Sequence, residues 1–151
     1  MAQGSYQSRP HPQRREEAPR QQTESGRLNI RFSKPLDAEL FNGIAKQAAQ
    51  AVSAADRNRN KTTQLRRFYD ELCMWEEKVA RQPEKFDEYL PFIRMLNAKA
   101  AYAEGRKLVD RTFVDLLAQT LRETTSAETF ATCKLFWEAF MGFYKQERGN
   151  D

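Results

Sequence analysis

The chain has 151 residues, 30% of them charged and 40% apolar, with a formal net charge of +4 and a mean hydropathy of -0.83. That length suits one domain, and no apolar run approaches the ~18 residues a membrane-crossing helix needs, so a soluble protein with no membrane partner is expected. The first 30 residues hold no apolar stretch that would serve as a secretory signal, and Glu16 and Glu17 do not suit an organellar leader, so a cytoplasmic location is expected.

Residues 1–34 carry seven Lys/Arg and three Asp/Glu, whereas 35–151 carry 18 of each, so the whole net charge lies in the first segment. Few of its side chains are apolar, too few to offset the chain entropy of folding, roughly 1 to 2 kcal/mol per residue for the backbone alone. The segment is therefore expected to be a disordered basic tail, and 35–151 a helical domain. At the end of the tail Leu28, Ile30 and Phe32 alternate with polar residues, the period of a short extended stretch.

Five helical patterns follow. Residues 37–55 place Phe41, Ile44, Ala45, Ala48, Ala51, Val52 and Ala55 on one stripe, with Asp37 as the expected N-cap. After the polar break at 56–60, Thr62 or Thr63 is expected to cap a second helix reaching about Arg81, with Leu65, Phe68, Tyr69, Leu72, Trp75 and Val79 on its apolar side. A turn or short helix is expected over 84–90, then a helix opening at Pro91, whose missing N–H suits a first turn. Gly105 either ends that helix or sits inside a longer one. Val109, Phe113, Leu116, Leu117 and Leu121 form the next stripe, and Thr125 with Glu128 has the spacing of a capping box. The last helix repeats Phe130, Cys133, Trp137, Phe140 and Tyr144 at alternating three and four, with Phe136 and Phe143 widening the arc. The fold class is thus all-α, a compact bundle of about five helices.

Charge is unevenly spread within the neutral domain. From Arg57 to Tyr69 there are five cations (Arg57, Arg59, Lys61, Arg66 and Arg67) and no acid, and a second cluster comprises Arg94, Lys99, Arg106, Lys107 and Arg111. The first run sits on a loop and a helix start, where open backbone N–H groups and the helix dipole also favour a bound anion such as a phosphate. Acids concentrate elsewhere, at Asp70, Glu71, Glu76, Glu77, Glu84, Asp87 and Glu88.

Catalytic equipment is sparse. The one histidine, His11, lies in the tail, so no histidine-based acid, base or triad can be assembled in the domain. Adjacent carboxylates on a helix diverge by about 100°, and the six scattered glycines form no phosphate-cradling loop. Cys73 and Cys133 are too few for a disulfide scaffold or a zinc site and are expected to be reduced, mostly buried thiols. No enzyme activity, metal or cofactor is expected.

Lys61-Thr62-Thr63-Gln64-Leu65-Arg66-Arg67-Phe68-Tyr69, followed by Tyr102-Ala103-Glu104-Gly105-Arg106-Lys107, resembles the small subunit of the type III-A CRISPR interference complex, the Csm small subunit family. The resemblance covers about residues 37–147. It implies a non-catalytic antiviral-defence subunit that stacks in several copies along guide (crRNA) and target RNA. Its partners would be further copies of itself and the backbone, large polymerase-like and end-capping subunits of the effector complex. Carried over by position, Lys61, Gln64, Arg66, Arg67, Arg106 and Lys107 are the RNA-binding candidates, and charge clustering adds Arg57, Arg59 and Lys99. A subunit that must accept any target should hold phosphates and sugars rather than base edges, and with the aromatics assigned to the core, backbone tracking is expected in preference to base stacking. Two other readings fit the same residues: a helical DNA-binding protein whose basic arm enters a minor groove, and a helical protein–protein adaptor.

Overall fold

Alternation at the start of the domain already determines packing. A computed structural model describes Gly4 and residues 28–149 of the chain. Ile30 and Phe32 are buried while Asn29 and Arg31 face solvent, the two-residue period of an extended segment. The Phe32 ring lies 6.0 Å from that of Phe136, and the Leu28 carbonyl accepts a 2.7 Å hydrogen bond from Gln119 Nε2. The boundary expected after residue 34 therefore moves: at least 28–34 belongs to the folded body, because two large apolar side chains are worth more buried than free, about 1.5 to 3 kcal/mol each. Apart from Gly4, residues 1–27 of the expected disordered tail lie outside the described residues.

The first helical pattern splits in two. A π-helical turn, Leu40–Ile44, is opened by Glu39, whose Oε2 accepts from the Gly43 N–H at 3.0 Å, and it leads into α1, Ala45–Ser53. The expected cap Asp37 instead closes the preceding turn, accepting from the Glu39 N–H at 2.8 Å. Widening one turn shifts the helical phase, so Ala49 is buried and Ala51 is exposed.

The remaining elements are α2 (Thr62–Arg81), a 3-10 turn (Pro83–Lys85), α3 (Phe86–Arg94), α4 (Leu96–Gly105), α5 (Arg111–Arg122) and α6 (Ala127–Arg148). Pro91 lies inside α3, not at the first turn of a helix. Helical backbone angles persist through Met95, whose N–H bonds the Pro91 carbonyl at 3.0 Å, so α3 and α4 form one interrupted arm. Counted that way, the described residues make an all-α bundle of five helices with no strand. Gly105 is the last residue of α4.

The aromatic helix α6 is the centre of the bundle, packed against α1 and α2. Phe130, Cys133, Phe136, Trp137, Phe140 and Tyr144 are all buried. Rings run in series from α2 through α5 into α6: Phe68 to Phe113 (5.2 Å), Phe113 to Trp137 (6.0 Å), Trp137 to Phe140 (4.8 Å) and Phe140 to Tyr144 (5.3 Å). The Trp137 Nε1–H donates to Thr120 Oγ1 at 3.0 Å, which satisfies its one polar atom. Ser126, not Thr125, is the N-cap of α6, in a reciprocal box with Thr129, whose N–H donates to Ser126 Oγ at 3.0 Å. Glu128 is left to pair with Lys34 at 2.6 Å on the surface.

Candidate nucleic-acid interface

Two loops, 54–61 and 106–110, carry most of the candidate cations, and one buried residue joins them. Asn60 is fully buried and holds a left-handed backbone, φ 54°. Its Nδ2 donates to the Val52 carbonyl (3.1 Å) and to Asp110 Oδ1 (2.7 Å), its Oδ1 accepts from the Asp110 N–H (2.9 Å), and its own N–H donates to the Leu108 carbonyl (3.0 Å). Its carbonyl accepts the Tyr144 hydroxyl at the end of the ring series. Every polar atom of a buried asparagine is thereby used, which offsets the cost of desolvating it. From α6, Arg148 donates to the Ser53 (3.2 Å) and Ala55 (3.0 Å) carbonyls, closing the C-terminal end of α1 beneath the Arg57 loop.

The second loop begins with a Schellman turn at the end of α4. The Leu108 N–H bonds the Ala103 carbonyl and the Lys107 N–H bonds the Glu104 carbonyl, both at 2.9 Å. The left-handed position in such a turn usually belongs to glycine; here it is Lys107, φ 62°. Asp110 then caps α5, accepting from the Phe113 N–H at 3.1 Å through the oxygen that also receives Asn60.

At the start of α2 the N-cap position is Lys61, no side chain caps the helix, and no acid occupies its first turn. Neither threonine fulfils the expected capping role, and Thr62 Oγ1 is buried without a hydrogen-bond partner. The positive end of the macrodipole is therefore offset by no carboxylate of the helix's own first turn.

Gln64, Arg67, Lys99 and Arg106 line one groove between α2 and α4, together with Phe68, Glu71, Tyr102, Ala103 and Leu108. Gln64, Arg67, Phe68 and Glu71 are spaced three and four apart and so share one face of α2. Lys61 and Lys107 adjoin the Asn60–Leu108 hydrogen bond at the mouth of the two loops. Arg66 is turned out of the groove lining and lies 3.7 Å from Asp70, and Arg57 and Arg59 stay on the α1–α2 loop outside it. The second expected cluster divides: Arg94 lies with Asn97 and Arg122 at a separate depression, and Arg111 pairs with Glu104 at 2.9 Å.

Within the groove Lys99 is paired with Glu71, and the Arg106 guanidinium sits 5.7 Å from the centre of the Tyr102 ring. No ion pair joins Lys61, Arg67, Arg106 or Lys107 to a carboxylate among the described residues. On the side of α2 towards α6, partial burial and a hydrogen bond with Cys73 push the Tyr69 hydroxyl up to about 12, and partial burial raises the Cys73 thiol. These are the signs of a packed wall, not of an activated nucleophile.

Sequence reasoning missed Asn60, Glu71, Tyr102, Asp110 and Arg148. Tyr102 opens the second motif segment of the resemblance but was not named as a site residue, although it is an aromatic outside the apolar stripe of its helix and between Lys99 and Arg106 at helical spacing. His11 lies outside the described residues, and no group of three or more His, Cys, Asp or Glu among the described residues is placed to hold a metal. No helix among them is long and apolar enough to cross a membrane.

Residues 36–150 match the family model described as Csm2 Type III-A. A search of curated proteins and a search of solved structures each found no match.

Proposed function

The chain belongs to the Csm2 Type III-A family, which makes it a subunit of a type III-A CRISPR effector complex, and from that premise we propose that it is the non-catalytic subunit that lines the RNA. In this reading several copies stack along the guide RNA–target RNA duplex, beside the backbone, large polymerase-like and end-capping subunits. Each copy holds the target strand through sequence-independent contacts to its backbone. The observation that carries the proposal is that Arg67 and Arg106, without carboxylate partners, line one groove, with Lys61 at the uncapped start of α2 and Lys107 on the loop bonded to it. Phosphate oxygens suit such donors, and contacts of this kind position a strand without reading its sequence. One copy would bind weakly, and neighbouring copies raise retention through effective concentration.

The test is an assembled complex in which Lys61, Arg67 and Arg106 are all changed to Ala. Target RNA retention should fall at least tenfold while the complex still assembles. Unaltered retention would remove the proposal, and a strong preference for one DNA duplex would replace it with a DNA-binding role.

A further inference from the structure

The groove is not uniformly basic, and its composition is unusual for a surface that only tracks a phosphate backbone. Tyr102 is 68% exposed, the most open of the large apolar side chains among the described residues. Its ring meets no other aromatic ring there; its recorded ring contact is the guanidinium of Arg106. A ring left this open in a cationic groove gains little from folding, since the apolar surface it exposes is not removed from water. Glu71, on the groove lining, brings a carboxylate in which the side chain is only 27% exposed, joined to Lys99. A phosphate placed beside that carboxylate would be repelled, whereas the amino or imino N–H of a nucleobase would find an acceptor.

We propose that the groove between α2 and α4 receives one unpaired nucleotide, its base stacked on the Tyr102 ring and its phosphate held by Arg67 and Arg106. This deepens the RNA-lining reading and rests on it, and it reverses the expectation that the aromatics would all be taken up by the core. The three chemical parts of a nucleotide match three features of the groove. The anionic group meets Arg67 and Arg106, the flat π-face meets Tyr102, and the hydrogen-bonding edge meets Gln64 and the Glu71–Lys99 pair. A base inside a continuous duplex is already stacked on both faces, so the ring selects nucleotides that are flipped out or single-stranded. Arg106 does two things here: it offers charge, and from 5.7 Å above the Tyr102 ring centre it steadies a ring that is 68% exposed.

The experiment measures binding of the full chain, and of its Tyr102→Ala and Tyr102→Phe variants, to a labelled single-stranded oligoadenylate and to a blunt RNA duplex of equal length. Because Tyr102 is exposed, both variants should retain the helical content of the parent, checked by circular dichroism. The expected result is a loss of roughly tenfold for Tyr102→Ala on the single strand, little change for Tyr102→Phe, and little change for either on the duplex. Equal losses for Ala and Phe, equal losses on duplex and single strand, or no loss for Ala would each overturn the stacking proposal. An Arg67→Ala, Arg106→Ala variant separates the two readings. If it binds both RNAs as the parent does, the RNA-lining reading falls as well; if it loses affinity while Tyr102→Ala does not, only the stacking proposal falls.

Discussion

Asn60 and Lys107 adopt the same uncommon backbone region for different returns. At Asn60 the left-handed geometry aims a side chain into three hydrogen bonds and an otherwise apolar centre. Replacing it with Ala keeps the strain, strands the Asp110 N–H and removes the bonds to Asp110 Oδ1 and the Val52 carbonyl, so Asn60→Ala should lower unfolding stability by about 3 kcal/mol, read from urea denaturation. Lys107 has no such compensation: its side chain is exposed and makes no ion pair among the described residues. Lys107→Gly should therefore raise stability by about 1 kcal/mol. If Lys107 contacts a phosphate, the same variant should reduce the steepness of the salt dependence of RNA binding by about 0.7. A residue that weakens the fold where glycine would strengthen it is a candidate for function. Lys107 was among the candidates of the sequence for its charge, though not for its backbone, and Asn60 was not among them. Asn60 was one more polar residue in a polar break, because its partners Asp110 and Tyr144 lie 50 and 84 positions away.

The helices themselves were readable, because apolar stripes at spacings of three and four survive any detail of tertiary packing. Leu65, Phe68, Leu72 and Val79 in α2, and Phe113, Leu116, Leu117 and Leu121 in α5, are buried as that spacing requires. Boundaries were readable only where local chemistry decided them. Ser126 displaced Thr125 as the cap of α6 because Thr129 reciprocates its hydrogen bond, and the exposed outer side of α3 tolerates Pro91. Of the groove, the α2 contribution could be inferred from its cation run. Tyr102 and Glu71 could not, since which residues of α4 face α2 depends on how the α3–α4 arm lies across it.

One titration belongs to α6 and its contact with α2. Burial pushes the Cys133 thiol up to about 12, from an ordinary value of 9.0, and the Tyr69 hydroxyl also rises to about 12, from 10.0. Above pH 9.0 the unfolded chain releases the Cys133 proton while the folded chain keeps it, so stability is fully present below that pH and declines as pH rises towards 12. The urea midpoint should fall between about pH 8.5 and about pH 10.5. Cys133→Val, which removes the thiol and keeps an apolar side chain of similar size, should show a shallower decline.

At the scale of the whole molecule, the net charge of +4 is a poor guide to binding, because 35–151 is neutral. What matters is where the charge lies. α2 begins with Lys61, Arg66 and Arg67 and carries Glu76 and Glu77 towards its other end, with Glu84, Asp87 and Glu88 following in the 3-10 turn and α3. The cations without carboxylate partners number four, Arg67 and Arg106 on the groove lining and Lys61 and Lys107 on the adjoining loops, since Glu71 engages Lys99 and Arg66 lies outside. Four single-strand phosphate contacts imply that tripling the salt weakens RNA binding about twentyfold. A dependence much shallower than that, in titrations of the full chain at two salt concentrations, would mean that fewer of these cations reach phosphates.

The Asn60–Asp110 pair also determines when the site exists. Its amide, the Asp110 N–H held by Asn60 Oδ1, connects residues 50 positions apart, so that hydrogen bond requires α2, the α3–α4 arm and the start of α5 to be in place together. Opening it separates the 54–61 and 106–110 loops, which are also tied by the Asn60–Leu108 bond. In deuterated solvent the Asp110 amide should exchange among the slowest in the chain, at a rate that follows global unfolding. The candidate interface would then be a late and indivisible part of the fold, present in full or not at all, with no half-ordered form for RNA to complete.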